Sequence, residues 1–448
     1  MKAGTHPSNG LGHKLLLRKK KMFRGVAQME IGPLIKLHRI KQNMTQEDLA
    51  AGIVSESYLS KIENQKTDAS PEVIALLCER LGIQLNAENE DMIKEKAEEW
   101  YGMLYEVHNA DERRQRFKEL EALFKANNSD HEMLFEIQKI RFYLIEGREK
   151  EAKEQIERLE PLQNTFEPIH LFYWYKFLGN YNHHETEDFS HALENYENAA
   201  LLLPKVNVSE TEIADIHYLL CIIHSKLVND LNAMEHANKA LTTFRNNYNF
   251  VRCAQCHIIL GIAYRRLHML EEAIKQYNLA KHLGEITESY DVIQLTNHNL
   301  GYLHSRGGRS EEAIKYFKMA FEIEHAHNSY KLTTVMALIR EYILTRDFSN
   351  AANYIERAEI LVQKQKRINR QLTIELDVFK AIVEKRYKDY ENLVTNQLIP
   401  YLVEQRESVH LITYASMIAA HFEEIKKYKN AAYYYKLASN TYDDLLKI

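Results

Sequence analysis

A chain of 448 residues is too long for one compact core and long enough for a small domain plus a large one. Its 45% hydrophobic and 27% charged residues exclude global disorder. A formal charge of −5 excludes a molecule basic throughout, so any nucleic-acid contact must come from a local patch.

Only 7 prolines and 15 glycines, among abundant Leu, Glu, Lys and Ala, predict an all-α chain. The cysteines Cys78, Cys221, Cys253 and Cys256 suit a reducing compartment. Cys253 and Cys256 form a C-x-x-C inside a helical pattern. With no second pair, core packing at (i, i+3) is the expected reading, and no metal is assigned. No apolar run reaches the roughly 20 residues that span a bilayer, so the chain reads as cytoplasmic.

Residues 1–28 carry a basic cluster, Arg18 to Lys21, and no acid. Leu15–Leu17 is too short for a signal core and precedes the basic cluster. This segment is expected to be an artefact of the assigned start, with Met22 or Met29 as the real beginning, or a disordered basic arm.

From Ile31 a helical stripe begins: Ile31, Leu34, Ile35, Leu37 and Ile40. Thr45 and Asp48 suit a capping box, and Gly52 supplies a break after a short helix. Ser55 caps a third helix, Glu56 to Glu63, with Leu59 and Ile62 inward. Pro71 opens a fourth carrying Val73, Ile74, Leu76, Leu77 and Leu81. Residues 30–86 thus form a small domain whose second and third helices make a helix-turn-helix.

Leu34…Arg39…Met44-Thr45-Gln46-Glu47-Asp48-Leu49-Ala50…Ser57-Tyr58-Leu59-Ser60-Lys61-Ile62-Glu63-Asn64-Gln65-Lys66 closely resembles the phage-repressor (XRE) family of DNA-binding domains. The resemblance implies that the third helix enters the major groove of double-stranded promoter DNA. Glu56, Ser57 and Lys61 are then candidate base readers, and Gln46 with Arg39 and Lys66 would hold a phosphate. Between Glu30 and Asn86 there are six Lys/Arg against eight Asp/Glu, a net of −2, so dimerisation is expected to supply much of the affinity.

Residues 91–448 are repetitive. Ala152, Ala192, Ala233, Ala273, Ala313, Ala351 and Ala431 recur close to every 40 residues, with Glu391 in the one missing register. The clearest copies are Leu260-Gly261…Tyr264…Ala273…Tyr277…Ala280 and Leu300-Gly301…His304…Ala313…Phe317…Ala320. The pattern resembles a lengthened tetratricopeptide repeat, which implies a right-handed superhelix of about nine helix pairs with a concave inner face. The run Tyr433–Tyr435 is expected in terminal packing or a dimer contact. No Gly-rich phosphate loop, His-Glu-x-x-His or nucleophile elbow is present, and the histidines, His183-His184 included, lack metal spacing. The chain is therefore read as a non-enzyme without a cofactor.

Helix phase puts the inner face at fixed offsets from the Leu-Gly glycine. His298, Asn299, Tyr302 and Arg306 face inward in one repeat, and Ile258, Ile259, Ile262 and Arg265 in another. Neighbours contribute Tyr218, Ile222, Met336 and Arg340. A carboxamide can both donate to and accept from a peptide backbone, and Arg can clamp a carboxylate, so a short extended peptide is the expected ligand.

A repressor-like domain joined to such an array looks like the Gram-positive peptide-pheromone regulators of the Rgg/Rap/NprR/PlcR/PrgX group, and is most similar to the NprR type. The resemblance implies a quorum-sensing receptor for a secreted, re-imported peptide, with Asn299 as the foremost peptide contact. It also implies a peptide-driven change from dimer to tetramer, activation of extracellular protease genes, and a peptide-free role restraining a sporulation response regulator. Two alternatives stay open: a Rap-like response-regulator-binding protein, and a DNA-binding regulator whose repeats hold a protein partner.

Overall fold

A computed structural model describes residues 31–83, 90–105, 110–126, 129, 131–323, 328–363, 370–405 and 407–446; the basic segment 1–28 lies outside them. Among the described residues every regular element is helical. Contacts divide the chain into two units, residues 1–228 and 229–448. No described helix is long and apolar enough to cross a membrane.

The first unit opens with four short helices: α1 (Ile31–Lys41), α2 (Gln46–Ala50), α3 (Glu56–Glu63) and α4 (Pro71–Leu81). Local chemistry sets their ends. Thr45 and Asp48 form the capping box, each side chain accepting from the other's backbone N–H at 3.0 Å. Ser55 Oγ accepts from Tyr58 N at 3.2 Å, and Ser70 starts α4 ahead of Pro71. Gly82, at φ 69°, closes α4 in the left-handed region. Ile35, Leu49, Leu59 and Leu77 are fully buried between the four helices. Gly32 permits the crossing of α1 and α3, because a Cβ there would lie 2.1 Å from the Ile62 carbonyl oxygen.

The helices α5 (Glu90–Met103), α6 (Ala110–Ala126), α7 (Glu132–Ile145), α8 (Glu149–Leu159), α9 (Pro168–His184), α10 (Phe189–Leu202) and α11 (Glu210–Lys226) complete this unit. Trp100, Phe117, Phe135 and Phe142 cluster where α5, α6 and α7 meet. Inside the repeats Lys176 is almost fully buried, held by Glu212 at 2.6 Å and Asp215 at 2.8 Å. Two carboxylates and the Tyr105 hydroxyl at 2.8 Å keep that ammonium charged in spite of burial.

The second unit contains α12 (Asp230–Asn246), α13 (Phe250–Arg266), α14 (Leu270–Ile286), α15 (Tyr290–Arg306), α16 (Ser310–Phe321), α17 (Asn328–Leu344), α18 (Phe348–Gln363), α19 (Arg370–Val383), α20 (Tyr387–Leu393), α21 (Ile399–Glu404), α22 (Ser408–Glu424) and α23 (Tyr428–Leu446). Its period has a mechanical origin. Helices α12 to α15 are each 17 residues long, and three-residue turns join them. In each turn one residue is left-handed, Tyr248, His268 and Glu288, and Gly308 continues the series after α15, all 20 positions apart. The amide after it reaches back to close the helix, as in Met269 N to Tyr264 O at 2.9 Å and Ser289 N to Gly284 O at 2.9 Å. Two such helices and turns make the 40-residue repeat.

Small residues then let paired helices touch. Ala192 in the first unit and Ala233, Ala273, Ala313 and Ala351 in the second are all fully buried. A Cβ at Gly261 would lie 2.4 Å from the Tyr277 ring, and one at Gly301 2.7 Å from Phe317. Gly179 and Tyr196 repeat this contact in the first unit at 2.4 Å. Glu391 marks the register where the pattern breaks: α20 is short and runs through a π-helical turn, Val394–Leu398, into α21. Glu391 is held there by Lys427 at 2.8 Å and His421 at 3.2 Å. Cys253 and Cys256 are free thiols buried on α13, and burial pushes the Cys256 thiol up to about 12. On α23, Tyr434 stacks on Phe422 while Tyr433 is exposed.

Gly261→Ala forces the Tyr277 ring out of its slot and is expected to cost about 2 kcal/mol, in the range of overpacked cores. Val228, β-branched at φ 62° between α11 and α12, carries left-handed strain, so Val228→Gly is expected to stabilise by about 0.5 kcal/mol. Urea denaturation midpoints of the two variants, moving in opposite directions, check both.

Candidate functional site

Two surfaces carry the residues singled out above. On the small domain, Glu56, Ser57 and Lys61 are all exposed on α3, and Lys66 is exposed just beyond it. Ser55 caps this helix, and Glu56 and Ser57 in its first turn are both exposed. Arg39 and Gln46 are placed differently. The Arg39 guanidinium grips the fully buried Glu63 carboxylate at 2.6 and 2.9 Å and also donates to the Met44 carbonyl at 2.9 Å. Gln46 Nε2 donates to the same carboxylate at 2.6 Å. Both side chains thus brace α1 and α2 against the end of α3, and only Lys66 among the three expected phosphate ligands projects freely from the surface.

The reader is also fastened to the repeats of its own unit. Leu37 of α1 is buried in one core with Met133, Ile137, Leu159 and Phe172. Around it, Lys41 Nζ meets Glu132 at 2.6 Å and Glu136 at 2.7 Å, and His38 Nε2 meets Glu132 at 2.9 Å. Lys36 Nζ donates to the Pro161 carbonyl at 2.9 Å. Glu132 and Glu136 are almost completely buried. Although burial opposes it, Lys41, Lys139 and Gln155 hold the Glu136 carboxyl down at about 2. None of these contacts covers Glu56, Ser57 or Lys61, which stay exposed while the domain is held.

The second surface is a cavity of about 300 Å³ in the second unit, between α15, α17, α19 and α22. It brings together His298, Tyr302, Arg306, Met336 and Arg340 from the expected inner face. Arg265 lies over the Tyr302 ring at 4.7 Å, and its buried Nε has no hydrogen-bond partner. Neither Arg306 nor Arg340 makes an ion pair or hydrogen bond with a described residue. Burial, with Arg340 and Arg265 nearby, holds the His298 imidazole down at about 4, so it is neutral at neutral pH. Its Nδ1 lies 3.1 Å from Thr334 Oγ1.

Asn299, next to His298 on α15, is not among the residues that line the cavity; it is buried, and its Nδ2 donates to the Leu295 carbonyl at 2.8 Å. Ile262 is half-buried on α13, where Ile258 and Ile259 are buried, and Tyr218 is buried on α11 of the first unit. The inner-face phase ended at Arg340 and so missed the far wall, Glu375 and His410, which meet at 3.1 Å. One more step of the roughly 40-residue period would have reached Glu375. The cavity therefore offers two unpaired guanidinium groups, a neutral imidazole and apolar floor, a combination suited to a carboxylate-bearing, partly apolar chain.

Comparison with known proteins places these features. The helix-turn-helix family HTH_3 matches residues 35–87. The chain is 29% identical over 413 residues to the transcriptional activator NprA of Geobacillus stearothermophilus, covering 89% of this chain and 100% of that protein. It is 23% identical over 346 residues to the regulatory protein RapG of Bacillus subtilis (strain 168), covering 75% of this chain and 92% of RapG. The fold is similar to that of NprR in complex with its cognate peptide NprX, at a TM-score of 0.59 and 17% identity, over 78% of this chain and 99% of that one. The chain thus carries an HTH_3 helix-turn-helix at residues 35–87, is similar over most of its length to NprA and RapG, and shares a helical-repeat fold with NprR.

Proposed function

We propose that this protein is a cytoplasmic, peptide-responsive transcriptional regulator that acts by binding alone. Helix α3 reads promoter DNA through Glu56, Ser57 and Lys61, with Lys66 on the phosphate backbone. A short secreted and re-imported peptide occupies the inner face built from Ile262, Arg265, His298, Asn299, Tyr302, Arg306, Met336 and Arg340. The observation that carries this reading is the coexistence, in one chain, of an open recognition helix and a cavity with unpaired Arg306 and Arg340. Similarity to a transcriptional activator over 89% of the chain supports the DNA-directed output. The peptide bound to NprR supports the ligand class.

Within this reading Arg340 takes a peptide carboxylate, and Asn299, whose Nδ2 is committed to Leu295, offers its amide oxygen to a backbone N–H. Occupancy shifts the protein between oligomeric states that space two readers differently on DNA.

Calorimetric titration should use synthetic short peptides drawn from the C-terminal ends of small secreted reading frames encoded beside the gene. Micromolar binding is expected, weakened at least tenfold by Arg340→Ala and by Asn299→Ala, in the range of a lost charged hydrogen bond. Absence of heat from every candidate would instead indicate a protein partner for the groove. In promoter-binding assays Lys61→Ala should abolish selectivity over random DNA while peptide binding is unchanged; retained selectivity would remove α3 from base reading.

A further inference from the structure

A second cavity, of about 430 Å³, lies within the first unit between the reader and its repeats. Neither the DNA-reading face nor the peptide cavity uses it. Leu34 of α1 supplies one wall; Ala97, Met133, Leu134, Ile169 and Tyr173 supply apolar surface from the repeats. Its size falls in the range of sites for small organic ligands.

One polar group in this wall is left over. Gln138 of α7 is 5% exposed, lines the cavity, and makes no hydrogen bond with any described residue. The other deeply buried polar residues of the wall are already engaged. Ser129 Oγ donates to Glu90 at 2.6 Å, and Thr165 Oγ1 donates to the Leu162 carbonyl at 2.6 Å. With no protein partner, this carboxamide is left for water or a ligand in the cavity to bond.

The surroundings also define the charge of what would bind. Lys94 and Glu98 are largely exposed at the rim and lie 3.9 Å from each other. Burial holds the His131 imidazole below its usual range, which favours its neutral form. The one cation among the described lining residues, Lys94, is paired with Glu98, and the second acid, Glu167, caps α9, so nothing here favours a charged ligand. A carboxamide offers two N–H donors and a carbonyl acceptor in a single plane, with one N–H on the same side as the C=O. The complement of that pair is a cis-amide, in which N–H and C=O point the same way, as in a lactam, a pyridone or a nucleobase-like ring.

We propose that this cavity is a second ligand site, for a small uncharged ring compound bearing a cis-amide that pairs with Gln138 while its ring packs between Leu34, Met133 and Tyr173. Since Leu34 belongs to the reader and Gln138 to the repeats, an occupant touches both sides of the junction fastened by Lys41, Glu132 and Glu136.

The probe is 2-pyridone, with N-methyl-2-pyridone as its donor-blocked analogue, titrated into the full chain and followed by saturation-transfer NMR. Binding of 2-pyridone is expected, at least tenfold tighter than its analogue and at least tenfold tighter than to Gln138→Leu. The variant should keep the wild-type circular dichroism spectrum and melting temperature; if it fails to fold, the two-probe comparison on the wild type decides. No transfer to 2-pyridone would overturn the proposal, and so would equal binding of the two probes to the wild type.

Discussion

The repeat architecture depends on a glycine facing an aromatic ring. At Gly261 and Tyr277, at Gly301 and Phe317, and at Gly179 and Tyr196, even one methyl group would occupy space the ring already fills. Close packing of this kind gives each helix pair one stable arrangement, because a dense interior tolerates neither a void nor an added carbon. Turn geometry adds the second constraint. A 17-residue helix closed by a left-handed residue returns the next helix in the same phase each time, so one face of α13, α15 and α17 keeps the same orientation through successive pairs. That repeated phase is what brings residues as far apart in sequence as His298, Arg340 and Glu375 to one cavity.

The reader follows a different logic. Its four helices would make a domain alone, yet Leu37 is buried among repeat residues and Lys41 is shared by two buried carboxylates. Removing one partner of such a cluster leaves the others buried and uncompensated, so the junction is held more strongly than a surface ion pair would hold it. The domain is thus packed against α7 and its neighbours through both a shared core and buried ion pairs. Placing α1 in the junction, and leaving Glu56, Ser57 and Lys61 outside it, lets one small domain be anchored and available together.

Much of this was legible in the sequence because it rests on local pattern. The capping box at Thr45, Pro71 in a first turn, the recurring alanines and the Gly261 and Gly301 registers each have a direct physical reading, and the structure contains all of them. Other features had no such signal. Tyr248, His268 and Glu288 adopt a conformation usually given to glycine, so the turns did not declare themselves. Glu132 and Glu136 look like surface acids on a helix until the tertiary fold buries them against Lys41. Arg39 looked available for phosphate because nothing local shows that Glu63, 24 positions later, takes its guanidinium. Gln138 is an ordinary helical residue until its neighbours are known.

The central claim is that occupancy of the repeat cavity and reading of DNA are linked within one chain. Linkage is reciprocal: if peptide changes DNA affinity by some factor, DNA must change peptide affinity by the same factor. The most direct test is the dissociation constant of the full chain for promoter DNA, with and without saturating peptide, set beside the peptide constant with and without DNA. The account predicts two equal factors of roughly fivefold or more, the usual lower range of such couplings. Identical DNA affinity in the presence and absence of bound peptide would contradict it.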